Sequence, residues 1–207
     1  MIEIIVYVIF ILAGISYSLP LILTSKLKSE NSATAFIFRF SIIGLIGYIL
    51  FFVSSITMLN SNFVANIITL LQFFVFLQFV HKLGVSKKLL GVFGVISILI
   101  TLYSACQNDI NKIDDVNFTF CNIIYVSILF YLLKLNFENK RVIKHHETFL
   151  FALLFITISS KLLLGIFEHE IRSQISLFSF FLVIAFNLIT IIQNLGFYYS
   201  LWKLKEA

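Results

Sequence analysis

The chain has 207 residues, 60% of them apolar and only 12% charged, with a formal net charge of +5 and a mean hydropathy of +1.03. A soluble domain carries about 25% charged residues, so this composition excludes an ordinary water-soluble fold, and the positive charge fits membrane topology better than nucleic-acid binding. Apolar runs of about 20 residues match the hydrocarbon thickness of a bilayer. Backbone in lipid must satisfy its own hydrogen bonds, and the runs do not alternate as barrel strands do. The predicted class is an all-α integral membrane protein, multi-pass in the cell membrane.

The first expected span covers residues 2–23. It lacks a basic leading segment and is too long for a signal peptide. Ser16, Tyr17, Ser18 and Pro20 lie towards its end. A proline there bends a helix or frees a carbonyl; a functionless helix-end proline is the alternative. A loop follows with Lys26, Lys28 and Glu30. The second span, 35–56, has Arg39 near its start and Gly44 and Gly47 inside. Small residues of this kind let helix backbones approach closely. An uncharged turn at 58–62 leads to the third span, 63–80, and then to His81, Lys82, Lys87 and Lys88.

The fourth span, 89–105, contains Gly91 and Gly94 and few polar groups, and reads as a linker helix. A loop with Asp109, Lys112, Asp114 and Asp115 precedes the fifth span, 118–135. The longest basic loop holds Lys134, Lys140, Arg141, Lys144, His145 and His146. The sixth span, 148–167, is followed by Glu168, His169, Glu170 and Arg172. The seventh, 175–201, ends in Trp202, Lys203 and Lys205. Seven spans place the two ends on opposite sides. With the amino end outside, only Lys112, Lys161 and Arg172 of the 15 Lys and Arg residues fall on the outer side. The positive-inside rule therefore predicts amino end out and carboxyl end in.

Residues 187–204 nearly repeat residues 66–83. Asn66 matches Asn187, Thr69 matches Thr190, Gln72 matches Gln193, Phe76 matches Phe197, and Lys82-Leu83 matches Lys203-Leu204. Three-residue steps turn about −60° on a helix, so Asn, Thr and Gln form one narrow polar stripe on each copy. The match predicts an internal duplication. A single domain over 1–207 would then hold two parallel three-helix repeats, 1–83 and 106–207, joined by a linker helix at 84–105. Parallel repeats are a known transporter plan.

Ser18-Leu19-Pro20, the short basic loop from Lys28 to Ala33, and an Asn early in the third span resemble the repeat of the SWEET and PQ-loop superfamily. The resemblance implies a small seven-helix carrier in which an Asn of helix three and its counterpart in helix seven bind the solute. Asn66 and Asn187 occupy those places, and Pro20 that of a hinge. Leu21 stands where the family motif has Gln, and the second half contains no proline.

Asn66, Thr69 and Gln72, with Asn187, Thr190, Gln193 and Asn194, are the main polar groups at depth. Facing a common axis they would line a neutral path, with Gln72 and Gln193 towards the inner side. As helix glue, such pairs contribute about 0.6 kcal/mol each. Lys161 is the one charge well inside a span; either it snorkels towards Glu168 or it is a buried counter-ion or anion site. No carboxylate lies at mid-membrane, which argues against a proton- or cation-coupled pump. Cys106 and Cys121 flank one outer loop, where a disulfide or two separate thiols are both open. His145-His146-Glu147 lacks the i, i+4 spacing of a helix-borne metal site. No nucleophile elbow, phosphate loop or zinc-helix motif is present, so neither an enzyme nor a cofactor or metal is expected. The expected function is a carrier or facilitator for a small uncharged hydrogen-bonding solute. The alternative is a membrane sensor or accessory subunit whose basic inner loops, at 134–144 and 203–205, engage a protein or anionic lipid. Besides the lipid bilayer, a second copy of the chain is a further possible partner; nucleic acid is not.

Overall fold

The computed structural model describes the backbone of residues 2–27, 31–57, 61–106, 115–138, 145–171 and 177–206. Its helices are α1 (Ile2–Ser16), α2 (Ser18–Lys26), α3 (Ser32–Thr57), α4 (Ser61–Lys82), α5 (Lys87–Cys106), α6 (Asp115–Phe137), α7 (His145–Ile171) and α8 (Leu177–Glu206). No strand occurs among the described residues. Lys28, Glu30, Asp109, Lys112, Asp114, Lys140, Arg141, Lys144 and Arg172 lie outside them, as do the side chains of Cys106, Asp115, His145, His146, Glu168, His169 and Glu170.

Every expected span coincides with a helix, α1 and α2 together forming the first. Six stretches are long and apolar enough to cross a membrane: Ile4–Lys26, Ser32–Ser54, Val64–Lys82, Phe118–Phe137, Glu147–Leu164 and Phe180–Lys205. The described part of α5, on the fourth expected span, is not among the six. Large apolar side chains face outwards along the helices; Ile4, Tyr7, Ile11 and Ile15 of α1 are exposed at three- and four-residue steps. Apolar patches on that scale are incompatible with a surface in water. They suit a hydrocarbon solvent, in which each helix satisfies its own backbone. The chain is a polytopic membrane protein by this criterion.

Pro20 explains the interruption between α1 and α2. A proline at this position cannot donate to the carbonyl four residues back, that of Ser16, and its ring crowds it. The chain responds by tightening: Tyr17 stays in the right-handed helical region (φ −65°, ψ −24°), and its N–H donates three residues back to Gly14 O at 3.3 Å. Ser16 Oγ donates to Ala13 O and Ser18 Oγ to Ile15 O, each at 2.6 Å. The helix is pinched at this point and then resumes.

The chain forms two compact units. One comprises Met1–Ser29 with Tyr125–Ala207, the other Glu30–Ile124. In the first, α8 packs against α7 and against both α1 and α2. Buried Phe151, Leu154, Phe197 and Leu201 belong to this unit. In the second, α3 lies along α4, and α5 along α4. Phe36 and Phe79 stack there at 4.5 Å between centroids. The close approaches fall at glycines: a Cβ on Gly47 would sit 3.1 Å from Ile68, and one on Gly94 3.0 Å from Phe74. The first unit thus holds both the amino-terminal and the carboxyl-terminal helices.

α4 ends in a Schellman motif. Val85 N–H donates to Val80 O and Gly84 N–H to His81 O, with Gly84 at φ 89°. These bonds satisfy carbonyls that a helix end leaves bare. An L side chain at such a φ costs about 1–2 kcal/mol, so Gly84→Ala should lower stability by about that amount. Thermal unfolding in detergent micelles would measure it, and an unchanged midpoint would show that the turn readily takes another conformation.

Candidate functional site

The four polar residues expected on the seventh span are buried on α8. Asn187 retains 5% of its accessible surface, Thr190 and Gln193 1% each, and Asn194 none. Their spacing (i, i+3, i+6, i+7) places them on one side of the helix. Gln193 and Asn194 lie at the middle of the Phe180–Lys205 stretch, the part of the helix furthest from water on either side.

Two of these residues are held by their own helix. Asn187 Nδ2 donates to Val183 O at 2.8 Å and Thr190 Oγ1 to Phe186 O at 3.0 Å. The other two reach across. Lys161 Nζ of α7 donates to Gln193 Oε1 at 2.9 Å and lies 5.3 Å from the centroid of Phe186. Asn194 Nδ2 donates to Ser16 Oγ at 2.8 Å, and Ser16 Oγ in turn donates to Ala13 O. One polar chain therefore connects α8 to the pinch that Pro20 creates in the first span.

The chemistry of the partners fixes both amides. An ammonium has donors only, so Gln193 must turn its oxygen towards Lys161. Ser16 already donates to Ala13, so it accepts from Asn194, which must turn its nitrogen there. The far end of each amide is left over. Gln193 Nε2 and Asn194 Oδ1 are buried and make no hydrogen bond. They are a neutral donor and a neutral acceptor on consecutive residues. A buried polar atom without a partner costs about 1–3 kcal/mol, and such atoms in a folded protein call for an explanation.

Lys161 is thus engaged by α8; the side chain of Glu168 lies outside the described residues. Carbonyl and ring partners on α8 are within its reach without a climb to the interface, and they take up its charge. Pro20 is buried and accepts at its carbonyl from Thr24 Oγ1 at 2.9 Å. On α4, Asn66, Thr69 and Gln72 are half-buried. The two stripes share a spacing and differ in burial. Cys121 is buried, its Sγ 3.3 Å from Ser97 Oγ; the side chain of Cys106 is outside the described residues, as is any disulfide geometry. Ser16 was missed as a member of the site. Its signal was the clustering of Ser16, Tyr17 and Ser18 before Pro20, which reads as a helix defect rather than a partner for α8.

No protein-family model matches the chain, and neither a curated protein nor a solved structure matches it. The polar cluster therefore has to be interpreted from its own chemistry.

Proposed function

We propose that this protein is a small membrane carrier or facilitator for an uncharged solute bearing both a hydrogen-bond donor and an acceptor. The observation that carries the reading is the unsatisfied pair on α8, Gln193 Nε2 and Asn194 Oδ1. A solute that gave up water contacts in the membrane would recover them from one amide of each polarity. The Lys161 charge is occupied by Gln193 Oε1 and the Phe186 ring, which leaves the neutral ends of the amides facing the solute. The pinch at Tyr17, joined to Asn194 through Ser16, supplies a place where the first span can flex as the solute passes. On this reading the resemblance to the SWEET and PQ-loop carriers extends to the role of Asn187 and of its counterpart Asn66, α5 is a fourth span in chain order that brings the count to seven, and the amino end lies outside.

A sensor or accessory subunit is the second reading. It is favoured by the inward bonds of the same residues: Asn187 and Thr190 on their own helix, Lys161 and Ser16 across to α8. Interhelical polar contacts of this kind also serve to hold a bundle together.

Thermal unfolding of the detergent-solubilised protein against a panel of neutral metabolites separates the two. A ligand at 100 times its dissociation constant adds about 2.7 kcal/mol of stability. We expect such a shift in the wild type and its loss in Asn194→Ala, which removes the unpaired acceptor. A well-behaved sample that responds to no compound in the panel would favour the sensor.

A further inference from the structure

A second polar feature stands apart from the α8 cluster, in the other unit. A shallow, open groove of about 20 Å³ runs between the start of α3 and the end of α4. Its floor is apolar, with Phe36 and Phe79 stacked and buried and Ala35 and Val75 along its sides. Its charged lining is entirely cationic, supplied by Arg39 and Lys82. Arg39 donates to the neutral Gln78 Oε1 at 2.9 Å, and neither cation forms an ion pair among the described residues.

The depth of this groove decides what can fill it. Ser32 and Lys82 are the ends of two stretches able to cross a membrane, so the groove opens at the bilayer interface. Arg39 is two turns further in, about 10 Å along the helix axis from Ser32. An arginine there is costly unless its head reaches the interface or meets an anion. Topology explains a net excess of cations at one end of a bundle. It does not explain two cations converging on one groove with an aromatic floor.

We propose that the α3–α4 groove binds an anionic phospholipid, its phosphate held by Arg39 and Lys82 and an acyl chain seated on Ala35, Phe36, Val75 and Phe79. Guanidinium presents a planar fork suited to phosphate oxygens, and the ammonium adds a point charge. Gln78 braces the guanidinium in position. The site does not depend on the reading of α8, nor on which leaflet it faces.

Native mass spectrometry of the delipidated full chain tests this with three probes: phosphatidylglycerol, phosphatidylcholine and free glycerol 3-phosphate. Each cation near the surface contributes roughly five-fold to binding an anionic lipid, so both together about thirty-fold. We expect the wild type to retain phosphatidylglycerol well above phosphatidylcholine. The Arg39→Gln, Lys82→Gln double variant should lose that preference. Ala35→Phe, which fills the groove and keeps both charges, should lose it too, and it decides the matter if the double variant does not fold. Lys203→Gln with Lys205→Gln should keep it. Lipid retention unchanged in Ala35→Phe, a preference lost only in the Lys203, Lys205 variant, or displacement of the lipid by equimolar free glycerol 3-phosphate would each overturn the assignment.

Discussion

Gln193→Leu should destabilise the protein by about 1–3 kcal/mol net, because a stranded charged group costs more than a stranded neutral one and outweighs the relief of removing the unpaired Gln193 Nε2, whereas the average interhelical polar contact in a membrane protein contributes about 0.6 kcal/mol. The excess comes from Lys161. Its ammonium donates to Gln193 Oε1, and leucine offers nothing in return. The Phe186 ring remains 5.3 Å away, a cation–π contact worth about 0.5–2 kcal/mol, which limits the loss. Converting the cation as well, in Lys161→Met with Gln193→Leu, should restore most of the lost stability. A double-mutant cycle in micelles reads the coupling directly. Additive effects of the two changes would mean that Lys161 and Gln193 do not depend on each other.

Gly196→Val should cost about 1–3 kcal/mol, the range for overpacking a filled site. A Cβ at Gly196 would overlap the Leu153 side chain, with Cδ1 at 2.7 Å and Cγ at 3.1 Å. α7 and α8 are in contact there because position 196 carries no side chain. The opposing influence is intrinsic: glycine is about 1 kcal/mol worse than alanine inside a helix, so a loose contact would give little loss or even a gain. The sign of the measured change therefore reports how tightly the two helices meet. Leu153→Ala in the Gly196→Val background should recover stability by reopening the space. Failure of that rescue would locate the strain elsewhere.

The spans were legible in the sequence because bilayer thickness imposes a run length that no neighbour can alter. Residues 63–80 were expected and α4 runs Ser61–Lys82; residues 118–135 were expected and α6 runs Asp115–Phe137. The helices overrun because hydropathy marks where lipid ends, while backbone hydrogen bonding continues until a cap such as Gly84 stops it. The α8 stripe was legible for a similar reason, since three-residue spacing fixes a face. Spacing does not reveal what covers that face. Asn66 and Asn187 hold matching places in the two sequence stretches, yet one is half-buried and the other buried. Nor does it reveal partners far away in the chain: Lys161 finds Gln193 and Ser16 finds Asn194 only through the packing of whole helices. The units likewise follow contact rather than chain order.

The bond between Ser16 and Asn194 joins residues 178 positions apart. During synthesis α1 and α2 enter the membrane before every other helix described here, and α8 enters last. Until then the pinch at Tyr17 stands in lipid without Asn194, and Ser16 must satisfy itself through Ala13 alone. Contacts of such long separation delay folding. The newly made first span is thus an early lodger awaiting its neighbour, and a chain cut short before α8 would leave the place beside Ser16 unfilled.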